Sequence, residues 1–340
     1  MAANFWKDGI ETFSFSALVP NMLDSSQPLS ILSHAGESPL FALAAHSPPS
    51  LPRYNRFVSW LQRFYSYFQD YGVPQIPAED WAEFEQFEAL ALPALQEIHV
   101  ATRDLLLPAL DGGQGLFVFD AGGVLSKSPD TKELLAEPIR FPRPAIIVEV
   151  NDAQKFVAAC RQYRETFNAL MTELAELNPD VAEVQLPPPE QRRLGNATLY
   201  TYSMPVEFNP ASYLNNDFEP HALLTTDFFL LSLSPQHSQQ LLAENALSTS
   251  TQFDFRQPAG RAAWFDFLVL KDLICDDAEA ALALVEEEGR IDANISLLIK
   301  IHVDKLRKVL GALHSYRSRT YEADGLSVTH GWLQLQDIEP

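Results

Sequence analysis

The chain has 340 residues, with 24 Lys and Arg against 45 Asp and Glu, so its formal net charge is −21 at pH 7. This charge argues against nucleic acid and anionic membrane surfaces as partners, because both would repel the chain. A hydrophobic share of 46% excludes wholesale disorder. The two cysteines, Cys160 and Cys275, are too few for a disulfide-dense scaffold, and the sequence leaves open whether they pair.

No segment is predicted to cross a membrane. The longest apolar stretch, residues 88–110, is interrupted by Pro93, Glu97 and Arg103. The N-terminus, MAANFWKDGIETF, has neither the basic nor the apolar region of a signal peptide. Either the chain is cytoplasmic, or the sequence is a mature form from which a signal has been removed.

The first third of the chain predicts two strands, of which the first is the strand-like segment at residues 11–18, and two helices. Residues 39–45 (PLFALAA) have strand character, and the prolines of the following loop delay a helix until about Asn55. A second helix is expected over residues 80–110, starting in an acidic cluster and kinked or divided at Pro93. The first helix has an apolar stripe at helical spacing, formed by Phe57, Leu61, Phe64 and Phe68.

The central part predicts a strand–helix unit. A glycine-rich turn at residues 112–115 leads into a strand at 116–119, and the prolines of residues 121–143 predict a loop-rich segment. Residues 145–150 (AIIVEV) predict a central strand. The next two residues, Asn151 and Asp152, are typical N-caps and predict a helix that reaches about Leu177.

The apolar stripes of the two helices suggest an internal duplication. Phe57, Leu61, Phe64 and Phe68 have the same spacing as Phe156, Cys160, Tyr163 and Phe167, offset by 99 residues. The hypothesis is of two similar halves, residues 1–111 and 112–340, in which each stripe lies on a sheet and both Phe57 and Phe156 are buried. Trp60, Tyr65 and Tyr67 lie off the first stripe. They indicate burial on two sides, which we favour, or an aromatic binding surface.

The last part of the chain mixes strands and helices. Strands are expected at residues 198–205, 228–233 and 261–270, and helices at 235–247 with Ser234 as N-cap, at 276–288 and at 295–313. The first part of the last helix, ISLLIKIHV, also alternates like a strand. Residues 315–323 and 326–335 flank Asp324-Gly325, the signature of a type I′ hairpin with an exposed tip and a packed Trp332. Gly331 suggests a β-bulge. The predicted fold class is α+β: mixed, mainly antiparallel sheets with packed amphipathic helices.

Several stretches resemble a family of uncharacterised bacterial proteins of the planctomycetes and related groups. They are AIIVEVNDAQKFVAACRQY, LGNATLYTYSMP, FFLLSLSPQHSQQLL and the closing hairpin SRTYEADGLSVTHGWLQLQDI, and together they extend over about residues 113–338. The family is expected to be exported and has no established activity. The resemblance implies a non-catalytic envelope or secreted protein, periplasmic or extracellular, that binds a protein partner or an apolar ligand. A cytoplasmic location stays open.

A second resemblance is to magnesium-dependent phosphohydrolases of the haloacid-dehalogenase type. The strand FVFDAGGVL would place Asp120 as nucleophile, FLLSLS would place Ser234 at the phosphoryl group, and LICDD would offer carboxylates to magnesium. The sequence departs from the pattern at Gly122, where most such enzymes have an aspartate, and in having no lysine-centred motif between the last two.

No other catalytic, cofactor-binding or metal-binding residues are assigned from the sequence. It has no GxSxG, HExxH or Walker-type lysine motif. His302 is interpreted as a core histidine and His330 as a strand residue paired with Tyr316 or Ser318. The acidic residues at 276–288 are interpreted as a solvated helix face. The oligomeric state is left open.

Overall fold

The computed structural model describes residues 2–6, 9–17, 23–36, 39–127, 134–177, 184–202, 219–243, 247, 255–287 and 291–335. The strands are β1 (Ala2–Trp6), β2 (Gly9–Ser16), β3 (Phe41–His46), β4 (Gln114–Lys127), β5 (Leu134–Glu149), β6 (Glu190–Leu194), β7 (Ala197–Thr201), β8 (His221–Leu224), β9 (Phe228–Ser232), β10 (Arg261–Asp266), β11 (Leu313–Ala323) and β12 (Leu326–Leu335). The α-helices are α1 (Leu51–Tyr67), α2 (Trp81–Ala101), α3 (Leu107–Ala109), α4 (Ala153–Leu177), α5 (Pro235–Leu242), α6 (Phe267–Lys271), α7 (Asp277–Glu287) and α8 (Ala293–Gly311). Short π-helical segments follow α1, α2 and α6, and 3-10 turns occur at Ser30–His34 and Val73–Gln75.

All described strands belong to one antiparallel sheet. The strand order is β1-β2-β12-β11-β10-β3-β4-β5-β9-β8-β7-β6. The predicted α+β class is therefore confirmed. The segments predicted as two halves, residues 1–111 and 112–340, share this sheet, because β3 of the first lies between β4 and β10 of the second.

The core lies on both faces of the sheet. Alternate residues of β4, Leu116 and Val118, are buried on one face, which the 3-10 turn Ser30–His34 and α5 cover. On the opposite face, Phe156 of α4 packs on Phe229 of β9, with ring centroids 4.8 Å apart. The prediction that Phe156 is buried on a sheet is therefore confirmed. The rest of the predicted stripe is not buried, since Tyr163 and Phe167 are half-buried and Cys160 is exposed.

The C-terminal hairpin is confirmed. Strands β11 and β12 pair from Ala323↔Leu326 onwards, and the turn residues Asp324 (φ 52°) and Gly325 (φ 73°) have the positive φ angles of a type I′ turn. Both turn residues are exposed, and Trp332 is buried. The predicted bulge at Gly331 is wrong, because the register runs through Ser318↔Gly331 without a shift.

Glycine at position 331 has a different reason. A Cβ atom there would lie 2.6 Å from Oγ1 of Thr12 and 3.1 Å from the hydroxyl of Tyr316. His330 is a strand residue, as predicted, but its predicted pairing with Tyr316 or Ser318 is wrong, since its register partner is Arg319 and its Nε2 lies 2.8 Å from Oε1 of Glu11.

The expectation of a loop-rich segment at 121–143 is wrong over its described residues. Strands β4 and β5 continue through it as a two-stranded ribbon, from Asp120↔Arg143 to Lys127↔Leu134, with register shifts after Asp120 and Leu125. Among the described strands, β9 pairs with β5 only at residues 145–149, so no described strand pairs with the outer edge of β5 along the ribbon. Prolines are tolerated on such an edge, because no backbone N–H has to be donated there.

Other predicted elements hold with shifted ends. Strand β10 ends at Asp266, whose carboxylate caps α6, so the apolar run over 261–270 is half strand and half helix. Helix α2 contains Pro93 without interruption, and no described helix has the length and apolar character to cross a bilayer. Cys160 and Cys275 are both free thiols.

Candidate functional site

A buried ion pair lies where β4 and β5 leave the body of the sheet. Asp120 lies one position beyond Phe119, the last residue of β4 that pairs with β3. Its register partner in β5 is Arg143. Alternation along the strands places both side chains on the face of Val118 and Ala145, which are buried in the core. The chain therefore carries two opposite charges at the end of its largest apolar cluster.

Arg143 holds the carboxylate of Asp120 with two hydrogen bonds. Its Nε donates to Oδ1 at 2.9 Å and one terminal nitrogen donates to Oδ2 at 2.6 Å. The guanidinium also donates to the hydroxyl of Ser234 at 3.4 Å and to the amide oxygen of Gln240 at 3.3 Å. The exposed fraction is 6% for the Arg143 side chain and 20% for Asp120. Such pairing is what a buried arginine requires, because an unpaired buried charge is strongly destabilising.

Glycine at position 122 makes this geometry possible. Its N–H donates to Oδ1 of Asp120 at 3.1 Å. A Cβ atom at Gly122 would overlap the guanidinium of Arg143, so any other residue would displace the ion pair. The residue that departs from the phosphohydrolase pattern therefore makes room for Arg143.

His237 completes the cluster from helix α5. Ser234 caps this helix, its hydroxyl accepting from the N–H of His237 at 3.4 Å. The imidazole is 1% exposed, its Nε2 lies 3.4 Å from Oδ2 of Asp120, and neither ring nitrogen has a hydrogen-bond partner among the described residues. Burial lowers the pKa of His237 to about 4; the charge of Asp120 opposes this shift, and that of Arg143 adds to it. The imidazole is therefore neutral at pH 7.

The cluster borders a cavity of about 580 Å³. Asp120, Arg143, His237 and Gln240 form its polar side. The rest of the lining is apolar or glycine: Ala35, Gly36, Pro39, Ala121, Gly122, Leu241 and Val269. A largely apolar pocket with a few convergent polar groups is the usual form of a small-molecule site.

The structure brings together two of the residues singled out by the phosphohydrolase resemblance, Asp120 and Ser234. Both accept hydrogen bonds from Arg143. It does not bring the last motif to them. Asp277 accepts from the backbone N–H and Nε of Arg140, at 3.0 and 3.2 Å. Because Arg140 and Arg143 are an odd number of residues apart in β5, they point to opposite faces of the ribbon. No group of three or more His, Cys, Asp or Glu side chains in the described part of the chain is arranged to hold a metal ion.

A second candidate site is an exposed apolar surface on α1 and α2. We define the hairpin surface as the large apolar side chains of these helices, and of the π-helical turn after α1, that are at least half exposed: Phe57, Trp60, Phe64, Tyr67, Tyr71, Phe87 and Leu95. Helix α1 has no buried residue, and α2 has only Ala101.

Specific contacts hold the two helices in an antiparallel hairpin. The hydroxyl of Tyr54 lies 2.9 Å from Nδ1 of His99 with the rings stacked, and Phe68 packs edge-on against Phe84. The C-terminal end of α2 is attached to α4, where Thr166 donates to Glu97 at 2.8 Å. The surface therefore belongs to an ordered helix pair that is attached to the sheet through α4.

The prediction that the stripe of Phe57 lies on a sheet is wrong, since Phe57 is 55% exposed. Trp60, Tyr65 and Tyr67, which lie off the stripe, were the sequence signal of the surface, although burial was the favoured interpretation. Arg143, His237 and Gln240 were missed as site residues. The glycine pair at 122 and 123 within an otherwise strand-like run was the signal that could have indicated close approach of another group.

The exposed apolar side chains of α8 also differ from expectation. The predicted core stripe of this helix includes Ile295, Leu306 and Val309, and all three are exposed. His302, interpreted as a core histidine, is exposed as well, its Nδ1 lying 2.7 Å from the carbonyl of Leu298. Comparison with known proteins adds no assignment: no protein-family model, curated protein or solved structure matches the chain.

Proposed function

We propose that this chain is a non-catalytic binding protein and that the hairpin surface contacts a protein partner. The observation that carries the proposal is the exposure of seven large apolar side chains on one ordered helix pair. Groups of exposed large apolar side chains mark interaction sites, because leaving them in water is unfavourable. Trp and Tyr, which are enriched at the energetic centres of interfaces, make up three of the seven.

The charges around the hairpin surface favour a basic partner. Residues 51–101 contain seven Asp and Glu and three Arg. Net negative charge on the segment that carries the hairpin surface attracts a protein with basic residues beside its own apolar patch. The same charges oppose an anionic lipid surface, in line with the net charge of the whole chain.

Export to the bacterial envelope or to the outside of the cell is part of the proposal. Its support is the resemblance of the central and C-terminal stretches to an exported bacterial family. Cell fractionation together with sequencing of the native N-terminus tests it, and a cytosolic protein that starts at Met1 would contradict it.

Site-specific photo-crosslinking tests the binding function. Benzoylphenylalanine is placed at Trp60 in one variant and at Leu326, an exposed apolar residue far from α1 in the sequence, in a control variant. A discrete crosslinked protein is expected only with the Trp60 variant. The crosslinked protein, once identified, should bind the purified double variant Trp60→Ser, Phe64→Ser at least tenfold more weakly than it binds the unmodified chain. Equal crosslinking at both positions, or none, would contradict the proposal.

An assay with p-nitrophenyl phosphate and magnesium tests the absence of catalysis. Both carboxylate oxygens of Asp120 accept hydrogen bonds from Arg143, and Asp277 is bound by Arg140, so we expect no turnover. Magnesium-dependent turnover that is abolished in Asp120→Asn would establish the phosphohydrolase instead.

A further inference from the structure

We infer that the cavity bordered by Asp120, Arg143 and His237 binds an uncharged, mainly apolar molecule that carries one hydrogen-bonding group of the hydroxyl type. This site shares no residue with the hairpin surface. It would therefore be a second binding function, and it is tested independently of the proposed protein partner. Three observations lead to it: the size of the cavity, the balance of its charges and the unpartnered imidazole of His237.

The size and lining of the cavity determine the size and polarity of the ligand that it can hold. Its volume of about 580 Å³ lies within the range of roughly 300–1,000 Å³ that is usual for small-molecule pockets. Among the apolar lining residues, Ala121 and Val269 are partly exposed and offer apolar contact, whereas Pro39 and Leu241 are buried. The side chain of Asp120 keeps 20% of its exposure, which indicates access from solvent at that end.

The charges of the lining exclude an ionic ligand group. Among the described residues that border the cavity, Asp120 and Arg143 carry the charges, and they neutralise each other through two hydrogen bonds. A ligand carboxylate would lie close to Asp120, and a ligand ammonium close to Arg143. Either ion would also lose its hydration without gaining a free counter-charge, a cost that an uncharged group avoids.

His237 supplies the hydrogen bond. A neutral imidazole offers one donor and one acceptor, and neither ring nitrogen has a hydrogen-bond partner among the described residues. A buried polar group without a partner costs free energy, which a ligand hydroxyl would recover by accepting from one nitrogen or donating to the other. The hydrogen bonds within the cluster use the carboxylate of Asp120, the hydroxyl oxygen of Ser234 and the amide oxygen of Gln240, and they leave both imidazole nitrogens without a hydrogen-bond partner among the described residues.

Three probes with the same alkyl chain test the proposal on the full-length protein at pH 7: 1-octanol, sodium octanoate and octylamine. Isothermal titration calorimetry should show that 1-octanol binds at least tenfold more tightly than either charged probe. Equal or tighter binding of octanoate or octylamine would overturn the inference, as would the absence of octanol binding.

Two variants locate the binding. Val269→Phe places a larger side chain in the cavity lining and should weaken octanol binding at least tenfold. Phe64→Ser, on the hairpin surface, is the matched control and should leave octanol affinity within twofold. The reverse pattern would show that octanol binds the hairpin surface and would overturn the inference.

His237→Phe tests the hydrogen bond, because it keeps a ring of similar size and removes both nitrogens. Octanol affinity should fall at least fivefold in this variant while its circular dichroism spectrum is unchanged; unchanged affinity would overturn the role of the imidazole. Should this variant not fold, the order of the three probes on the unmodified chain and the Val269→Phe result decide the inference.

Discussion

Helices α1 and α4 carry apolar stripes of identical spacing, and the first residues of the two stripes have opposite environments. Phe156, which begins the stripe of α4, is 9% exposed and packs on Phe229 of the sheet. Phe57, at the corresponding place in α1, is 55% exposed. Each helix follows an apolar strand, so the local sequence does not separate them.

The difference arises from what lies next to each helix. Helix α4 packs directly over β9 and against the end of α2. Helix α1 packs on α2 instead, through Tyr54 and Phe68, and this contact occupies only one side of it. An amphipathic pattern therefore indicates that one face of a helix is suited to burial. The neighbouring elements decide whether that face is covered by this chain or by a partner.

The largest expected effect on stability is at the buried Phe156. Phe156→Ala should lower the free energy of unfolding by about 3–5 kcal/mol, because it removes buried apolar area and leaves a cavity. Phe57→Ala, the matched variant, should change it by no more than about 0.5 kcal/mol. Urea unfolding of both variants measures this, and similar losses in the two would remove the distinction between the helices.

Acid should lower the free energy of unfolding through the buried His237. Burial lowers the pKa of His237 to about 4, below the value of about 6.5 in an unfolded chain. As the pH falls from 6.5 to 4, the unfolded chain takes up a proton that the folded chain does not, so stability is lost across this window. The loss from this residue is about 3 kcal/mol.

The measurement is the free energy of unfolding against pH for the unmodified chain, His237→Phe and Phe57→Ala. Burial also lowers the pKa of His221, so the informative quantity is the difference between curves. His237→Phe should flatten the acid slope, whereas Phe57→Ala should run parallel to the unmodified chain. An unchanged slope in His237→Phe would contradict the assignment.

A smaller effect is expected at the contact between α2 and α4. The hydroxyls of Thr102 and Tyr163 lie 2.8 Å apart in a half-buried position. Tyr163→Phe should cost about 1 kcal/mol, the usual contribution of one such hydrogen bond. Tyr67→Phe, on the hairpin surface, should have no measurable effect on thermal unfolding. A loss at Tyr67 equal to that at Tyr163 would show that α1 is covered.

The smallest effect on stability is expected at Trp60 and Phe64, where the effect on binding to a partner should be largest. Trp60 and Phe64 stack on each other, with ring centroids 5.9 Å apart, and both are exposed. The double variant to serine should keep the free energy of unfolding within about 0.5 kcal/mol. It should bind less of an apolar dye such as ANS. Undiminished dye binding would show that the hairpin surface is not the accessible apolar patch.

The sequence by itself determined the elements that depend on near neighbours. The type I′ turn at Asp324 and Gly325 follows from two residues that tolerate positive φ, and the Ser234 cap follows from one side chain and a backbone N–H three residues later. The β5–α4 unit follows from a run of β-branched residues and an N-cap, Asp152, which accepts from the N–H of Lys155.

Only the tertiary structure decided the candidate sites. Asp120 and Arg143 meet because β4 and β5 pair through a segment whose prolines predicted a loop, and His237 reaches them from a helix 94 positions after Arg143. Likewise, the exposure of Phe57 depends on which elements lie beside α1. Hydrogen-bonded turns and caps are local, whereas burial and ion pairing depend on residues distant in sequence, which composition and spacing do not specify.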